Sequence, residues 1–293
     1  RLNQASVTYG SFGTAIANAI VRDSINQTTY QVTANTSNTQ GWRQNSAANA
    51  YAIDGKITQS FGGLDKIYAD LFYAYTNAQN PGGVVGQVGS GDPQAAKFNN
   101  IGSNSTTSNS GIRFGGTKEF LGGNIAELDG YYSNKSVFFN TPYYDSSSAI
   151  AVGNYGSGNG NLNGWTLNLS PRVKSNFGRL GSAILGYEFN QSNQSGENAY
   201  SPTTYAAMDA AGKITNPNGL RQSTQSASIL NQSIYGIGKI AILDSVDFSG
   251  GFRHQVQGAT ANDNSLTSNN GALNGSQSYS ANAGDIALNY SYL

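Results

Sequence analysis

The sequence contains no cysteine, which excludes a disulfide framework, a thiolate metal site and a thiol nucleophile. Charged residues are also scarce, at 11% of 293, where a soluble domain carries roughly a quarter. The 16 basic residues balance the 16 acidic ones, so there is neither a positive field to attract nucleic acid nor an acidic surface for cationic partners. No apolar run approaches the roughly 20 residues of a transmembrane helix. The chain opens at Arg1 without methionine and without a charged stretch followed by an apolar one, so any export signal is expected to have been removed or to lie outside it. A chain of this kind can cross a membrane only as a closed barrel, the other structure that satisfies every backbone polar group in lipid.

What is abundant points to β-structure. Glycine numbers 37, tyrosine 18 and phenylalanine 12, and that aromatic content separates the chain from disordered sequences, which combine high charge with few aromatics. In "NIAELDGYYSNK", residues 124–135, Glu127, Asp129, Tyr131 and Lys135 fall on one parity and Ala126, Leu128 and Tyr132 on the other, the period of two of a strand with unlike faces. The pattern recurs at 49–60, 66–76, 164–173, 246–256 and 282–293 and more weakly at 3–9, 14–22, 28–36, 110–118, 179–190 and 227–238. Twelve strands are therefore expected, each near the roughly 9–11 residues that cross a bilayer when tilted.

Connections alternate in length. "RDSINQ", "FGGLDK", "EFLGGN", "KSNFGR" and "ILDS" carry the chemistry of tight turns, whereas long polar loops are expected near 77–109, 137–163, 191–226 and 257–281. Short turns on one side and long loops on the other are the habit of outer-membrane barrels, whose long loops lie outside the cell. The fold class expected is thus all-β, an antiparallel transmembrane β-barrel, with Glu127, Asp129 and Lys135 facing a watery lumen and Ala126, Leu128 and Tyr132 facing lipid. Alternation alone also fits a soluble β-sandwich or a surface adhesin. A solenoid would need a fixed repeat, and the spacing here varies.

Several segments resemble, in order, those of TonB-dependent outer-membrane receptors. "VTYGSFGTAIANAIV" (7–21) is similar to the first barrel hairpin that follows the family's N-terminal plug, and "YQVTANTSNTQGWRQNS" (30–46) to its third strand and exit. "GKITQSFGG" with "YADLFYAYTNAQNPGG" (55–83), "GDPQAAKFNN" before "SNSGIRFGGTKEF", and "SIYGIGKIAILDSVDFSGGFRHQ" (233–255) continue the series. The resemblance implies a 22-stranded barrel of which about twelve strands, the first half, are present here. It also implies a plug that closes the lumen and contacts TonB, extracellular loops that bind ligand, and location in the bacterial outer membrane. The end, "NYSYL", lacks the aromatic terminus of a finished barrel, in keeping with the expectation of a partial barrel over 1–293.

Chemistry by this chain alone is not expected. His254, the single histidine, shares its parity with Val246, Phe248 and Phe252 and reads as interfacial rather than as a general base. Glu127 and Asp129 form the one conceivable carboxylate pair, though their spacing suits a polar lumen lining. Met208 is the lone sulfur, so a soft metal would arrive already chelated, and "GSGNGNLNG" and "NPGGVVGQVGSG" lack the Lys-Ser/Thr of a phosphate loop. No cofactor is expected. Loop aromatics Phe138, Phe139, Tyr143, Tyr144, Tyr155, Tyr200 and Tyr205 are the candidate ligand contacts; packing among themselves or an outer girdle is the equal alternative. Asp54, Asp70, Asp129, Arg172, Arg253 and Asp285 are the candidate inward charges, which in a complete receptor would meet the plug. The function expected is energy-coupled uptake of a scarce nutrient: a ferric siderophore by default, or cobalamin, another metal chelate or a glycan. A small barrel acting as passive channel or adhesin, and a soluble surface-layer or filament protein, are the competing classes.

Overall fold

The computed structural model describes residues 2–81, 103–120, 122–145, 154–200, 221–243, 245–263 and 274–290. They form one antiparallel sheet of twelve strands in sequence order. The strands are β1 (Leu2–Gly10), β2 (Thr14–Ile25), β3 (Thr28–Thr39), β4 (Ala48–Gly62), β5 (Asp65–Gln79), β6 (Asn104–Phe120), β7 (Asn124–Asp145), β8 (Asn154–Asn176), β9 (Gly181–Tyr200), β10 (Arg221–Leu243), β11 (Val246–Asp263) and β12 (Gly275–Tyr290). Every strand expected from the alternation is present. The two end strands each pair with one neighbour, β1 with β2 and β12 with β11.

Tight turns close the sheet at one end. Gly122 and Gly123, between β6 and β7, both adopt positive φ, 80° and 77°, which a side chain would resist and which matches the right-handed twist of the strands they join. At the other end the hairpins run further than the sequence suggests. β7 extends to Asp145 and β8 begins at Asn154, so most of the 137–163 segment is paired strand rather than loop. β5 to Gln79, β9 to Tyr200 and β11 to Asp263 likewise reach into the segments expected as loops.

The two faces differ in chemistry because side chains alternate across each strand. One carries Leu71, Leu128, Val173, Leu185, Ile234, Phe252 and Ile286, all broadly exposed, Ile286 by 77%. The other carries the charges. No side chain among the described residues is fully buried, so this sheet has no core of the usual kind and its apolar belt points outward. At the open end the belt stops at an aromatic rim, where the Tyr132 and Trp165 rings lie 6.5 Å apart and Tyr51 stacks on Tyr75 at 5.0 Å. One row of register partners across that boundary reads Ser110, Asn134, Trp165, Asn193, Ser228 and Thr260.

Glycines opposite aromatics knit the strands together. Tyr68 lies over its register partner Gly115, Phe72 over Gly111, Phe114 over Gly130, Tyr235 over Gly186 and Phe252 over Gly236. A Cβ on Gly115 would sit 2.3 Å from the Leu128 carbonyl oxygen and 2.8 Å from the Tyr68 ring, closer than real contacts, so the missing side chain leaves room for both the neighbouring backbone and the ring that lies across it.

Candidate functional site

The charged face gathers its ionisable groups into linked clusters over β4–β8. Asp70 on β5 and Arg113 on β6 are register partners, and Arg113 Nη1 donates to Asp70 Oδ2 at 2.9 Å. The guanidinium lies 4.7 Å from the centroid of the Phe72 ring, which stacks on Tyr131 at 6.0 Å, so cation–π contact and a charge-assisted hydrogen bond fix the same side chain. Asp70 is 6% exposed and its Oδ1 is buried without a hydrogen-bond partner, with the Asp54 carboxyl beside it.

A second cluster begins one row nearer the turns. Tyr68 on β5 donates from its phenol to Asp129 Oδ1 on β7 at 2.9 Å, and Lys56 Nζ lies 5.0 Å above the Tyr68 ring. Arg172 on β8 donates from Nη2 to Asp129 Oδ2 at 3.2 Å and from Nε to Glu127. Lys174 donates to the other Glu127 oxygen at 2.8 Å. Two carboxylates thus share two cations, so the Glu127–Asp129 pair is held in ion pairs and is not free for acid–base work. A third cluster lies on β9–β11, where Arg253 Nη2 and the buried Ser233 hydroxyl both donate to Glu188 Oε2, at 2.6 and 3.2 Å.

All six candidate inward charges occupy the charged face. The structure brings Asp54 to Asp70 and Asp129 to Arg172, gives Arg253 to Glu188, and leaves Asp285 beside Gly251, its Oδ1 2.8 Å from where a Gly251 Cβ would be. Arg113, Glu188 and Lys174 complete these clusters and were not singled out in sequence. Their parity relative to Phe114, Phe189 and Val173 is the signal that finds them once the strand is extended.

Six of the seven aromatic candidates lie on paired strands rather than in loops. Phe138 and Phe139 lie in β7 and face opposite sides, Phe138 outward and Phe139 with the charged face. Tyr143, Tyr144 and Tyr155 are also on paired strands, Tyr144 opposite Tyr155, and Tyr200 closes β9. Tyr205 lies outside the described residues. His254 faces outward, between Phe252 and Val256 and opposite Ile234, and bonds through Nδ1 to Asn282 Oδ1 at 2.7 Å. Among the described residues no three His, Cys, Asp or Glu side chains converge as metal ligands would.

Solved structures share this architecture. The ferric-catecholate import receptor Fiu from E. coli K12, in its open form, superposes with a TM-score of 0.65 at 12% identity, over 96% of this chain and 50% of that one. The ferric yersiniabactin uptake receptor FyuA from Yersinia pestis gives 0.67 at 14%, over 98% and 43%. The ferric preacinetobactin receptor BauA from Acinetobacter baumannii gives 0.66 at 13%, over 98% and 44%. The chain therefore has the transmembrane β-barrel fold of TonB-dependent siderophore receptors. It spans half or less of the length of each receptor it matches here. No protein-family model and no curated protein matches it.

Proposed function

We propose that this chain forms barrel strands of an outer-membrane receptor that imports a ferric siderophore or another metal chelate, coupled to TonB through a plug in the lumen. The observation that carries the reading is the inner-face network of Asp70, Arg113, Tyr68, Asp129, Arg172 and Glu127. A wall lined with paired charges and half-buried hydrogen-bonding groups is suited to holding a folded polar segment, whereas a plain water-filled pore needs no such pairing. Buried Asp70 Oδ1, lacking a partner, is an acceptor such a segment could satisfy. At the outer end Phe139, on the charged face, would help frame the ligand entrance, and extracellular loops would close over it.

The test is growth under iron limitation of the parent bacterium and a deletion strain, each supplied with single ferric chelates. Loss of growth on one chelate, restored by the intact gene, supports the reading; equal growth of both strains on every chelate tried would remove iron chelates as the substrate. The passive-channel reading is tested in planar bilayers, where the isolated full-length protein is expected to show no steady open conductance.

A further inference from the structure

We infer that the chelate taken by this receptor carries no net charge, as a ferric tris(hydroxamate) does, and that it meets the charged face beyond the ion-pair clusters. The inference rests on the chelate-receptor reading above and names the substrate class within it. On this face the clusters stop at the row of Asp54 and Phe72. Three further rows continue toward the open end. The first runs from Ala52 through Asn109 and Lys135 to Ala261, the second from Ala50 through Val137 and Leu162 to Asp263, and the third from Ala48 through Phe139 to Gly160. Among the described residues of these rows only Lys135 and Asp263 are charged, and their signs are opposite. The others are small residues, hydroxyls and amides such as Asn109, Gln194 and Gln225, together with Val137, Leu162 and Phe139.

Charge is what separates the ferric chelates from one another. Three hydroxamates neutralise iron(III) and leave an uncharged complex, whereas three catecholates leave a trianion. A trianion brought out of water against these rows would meet one lysine and one carboxylate, hence no net positive charge, and an ion desolvated without partners is costly. Its recognition calls for several arginines or lysines. The cations elsewhere on this face, Arg113, Arg172, Lys174 and Arg253, are already committed to carboxylates nearer the turns.

What the rows do offer suits an uncharged complex. The amides of Asn109, Gln194 and Gln225 and the Thr107 hydroxyl both donate and accept, as the amide and hydroxamate groups of such a chelate require. Asn109 Oδ1 is buried without a hydrogen-bond partner, so this amide has an unused acceptor that a turn of the side chain would present to a ligand N–H. Val137 and Leu162 are register partners, and with Phe139 on the same face they form an apolar patch on a wall that is otherwise polar. The methylene arms of a tris(hydroxamate) would pack there. Ala52, Ala74, Gly164 and Gly196, in the same rows, keep the wall thin and leave room for a bulky complex.

Titration calorimetry of the full-length protein in detergent tests it, with an uncharged cyclic-peptide ferric tris(hydroxamate) and a trianionic ferric tris(catecholate) as the two probes. The uncharged complex is expected to bind at least about tenfold more tightly than the trianion. Gln194→Lys, which places a second cation in these rows, is expected to narrow that preference to about threefold or less. Equal or tighter binding of the trianion by the wild-type protein overturns the inference while leaving the chelate-receptor reading intact. A wild-type preference that Gln194→Lys leaves unchanged would overturn the site. Binding of neither probe would instead count against the chelate-receptor reading on which the inference stands.

Discussion

Tyr68 reaches over the whole width of strand β6 to Asp129, phenol to carboxylate at 2.9 Å, and Gly115 is the residue it passes over. The bond exists because that position has no side chain. Gly115→Val is therefore expected to destabilise the barrel by about 1–3 kcal/mol through overpacking and loss of the bond. Gly258→Ala, where a Cβ meets nothing within 4 Å, should change stability by less than about 0.5 kcal/mol. Urea unfolding in lipid vesicles measures both, and equal effects would mean that the glycine–aromatic pairing is incidental.

Arg172 divides itself unequally between its two carboxylates. Glu127 is 13% exposed and Asp129 46%, so solvent screens the second pair more. Double-mutant cycles with Arg172→Gln should return a coupling of about 1 kcal/mol with Glu127→Gln and about half that with Asp129→Asn. The reverse order would show that burial does not set these energies.

Asp54 and Asp70 are like charges side by side, yet only Asp70 holds Arg113. Asp54→Asn removes repulsion and is expected to leave stability unchanged or slightly raised. Asp70→Asn strands a guanidinium on a half-buried wall and should cost about 1–2 kcal/mol. The same unfolding assay compares them; a larger loss for Asp54→Asn would contradict the assignment.

At the turn end, Lys118 and the Glu119 backbone N–H hold the Asp65 carboxyl below its ordinary range. A lowered folded-state value means that the contribution is present above the unfolded carboxyl pKa of about 3.9 and is lost as pH falls through the lower folded value. Asp65→Asn should accordingly lower stability slightly at neutral pH, leave it unchanged at low pH, and so flatten the acid limb of the stability curve below about pH 4. An unchanged acid limb would place the acid sensitivity elsewhere.

Leu71 sits mid-belt on the outward face and Ser110 in the polar row beyond it. Leu71→Arg is expected to cost about 2–4 kcal/mol in a bilayer, and Ser110→Arg about 0–1. Equal costs would mean that the belt does not end at the aromatic rim.

The strands that the sequence revealed best are those with unlike faces. β7 could be read from Glu127 and Asp129 against Ala126 and Leu128 because one side meets lipid and the other water. Beyond Asn134 the same strand has water on both sides, so Ser136, Asn140 and their neighbours carry no period, and paired strand looks like loop. This is why 137–163 was expected to be disconnected from the sheet and why Phe138 and Phe139 were expected together rather than on opposite faces. Arg113 and Glu188 escaped for a related cause: the glycines around them, Gly111, Gly115, Gly116 and Gly186, blank out alternate positions. Those gaps become meaningful only when the facing ring, Phe72, Tyr68 or Tyr235, is known.

An apolar belt turned outward changes what the stability of this chain refers to. With its largest apolar side chains in contact with the surroundings rather than with each other, the folded state in the membrane reading proposed above would be a complex with amphiphile, and lipid would enter its equilibrium as a bound ligand does. Chain length of the lipid, headgroup and lipid-to-protein ratio are then thermodynamic variables of the fold itself, so a midpoint measured in one detergent belongs to that pair of molecules and not to the polypeptide.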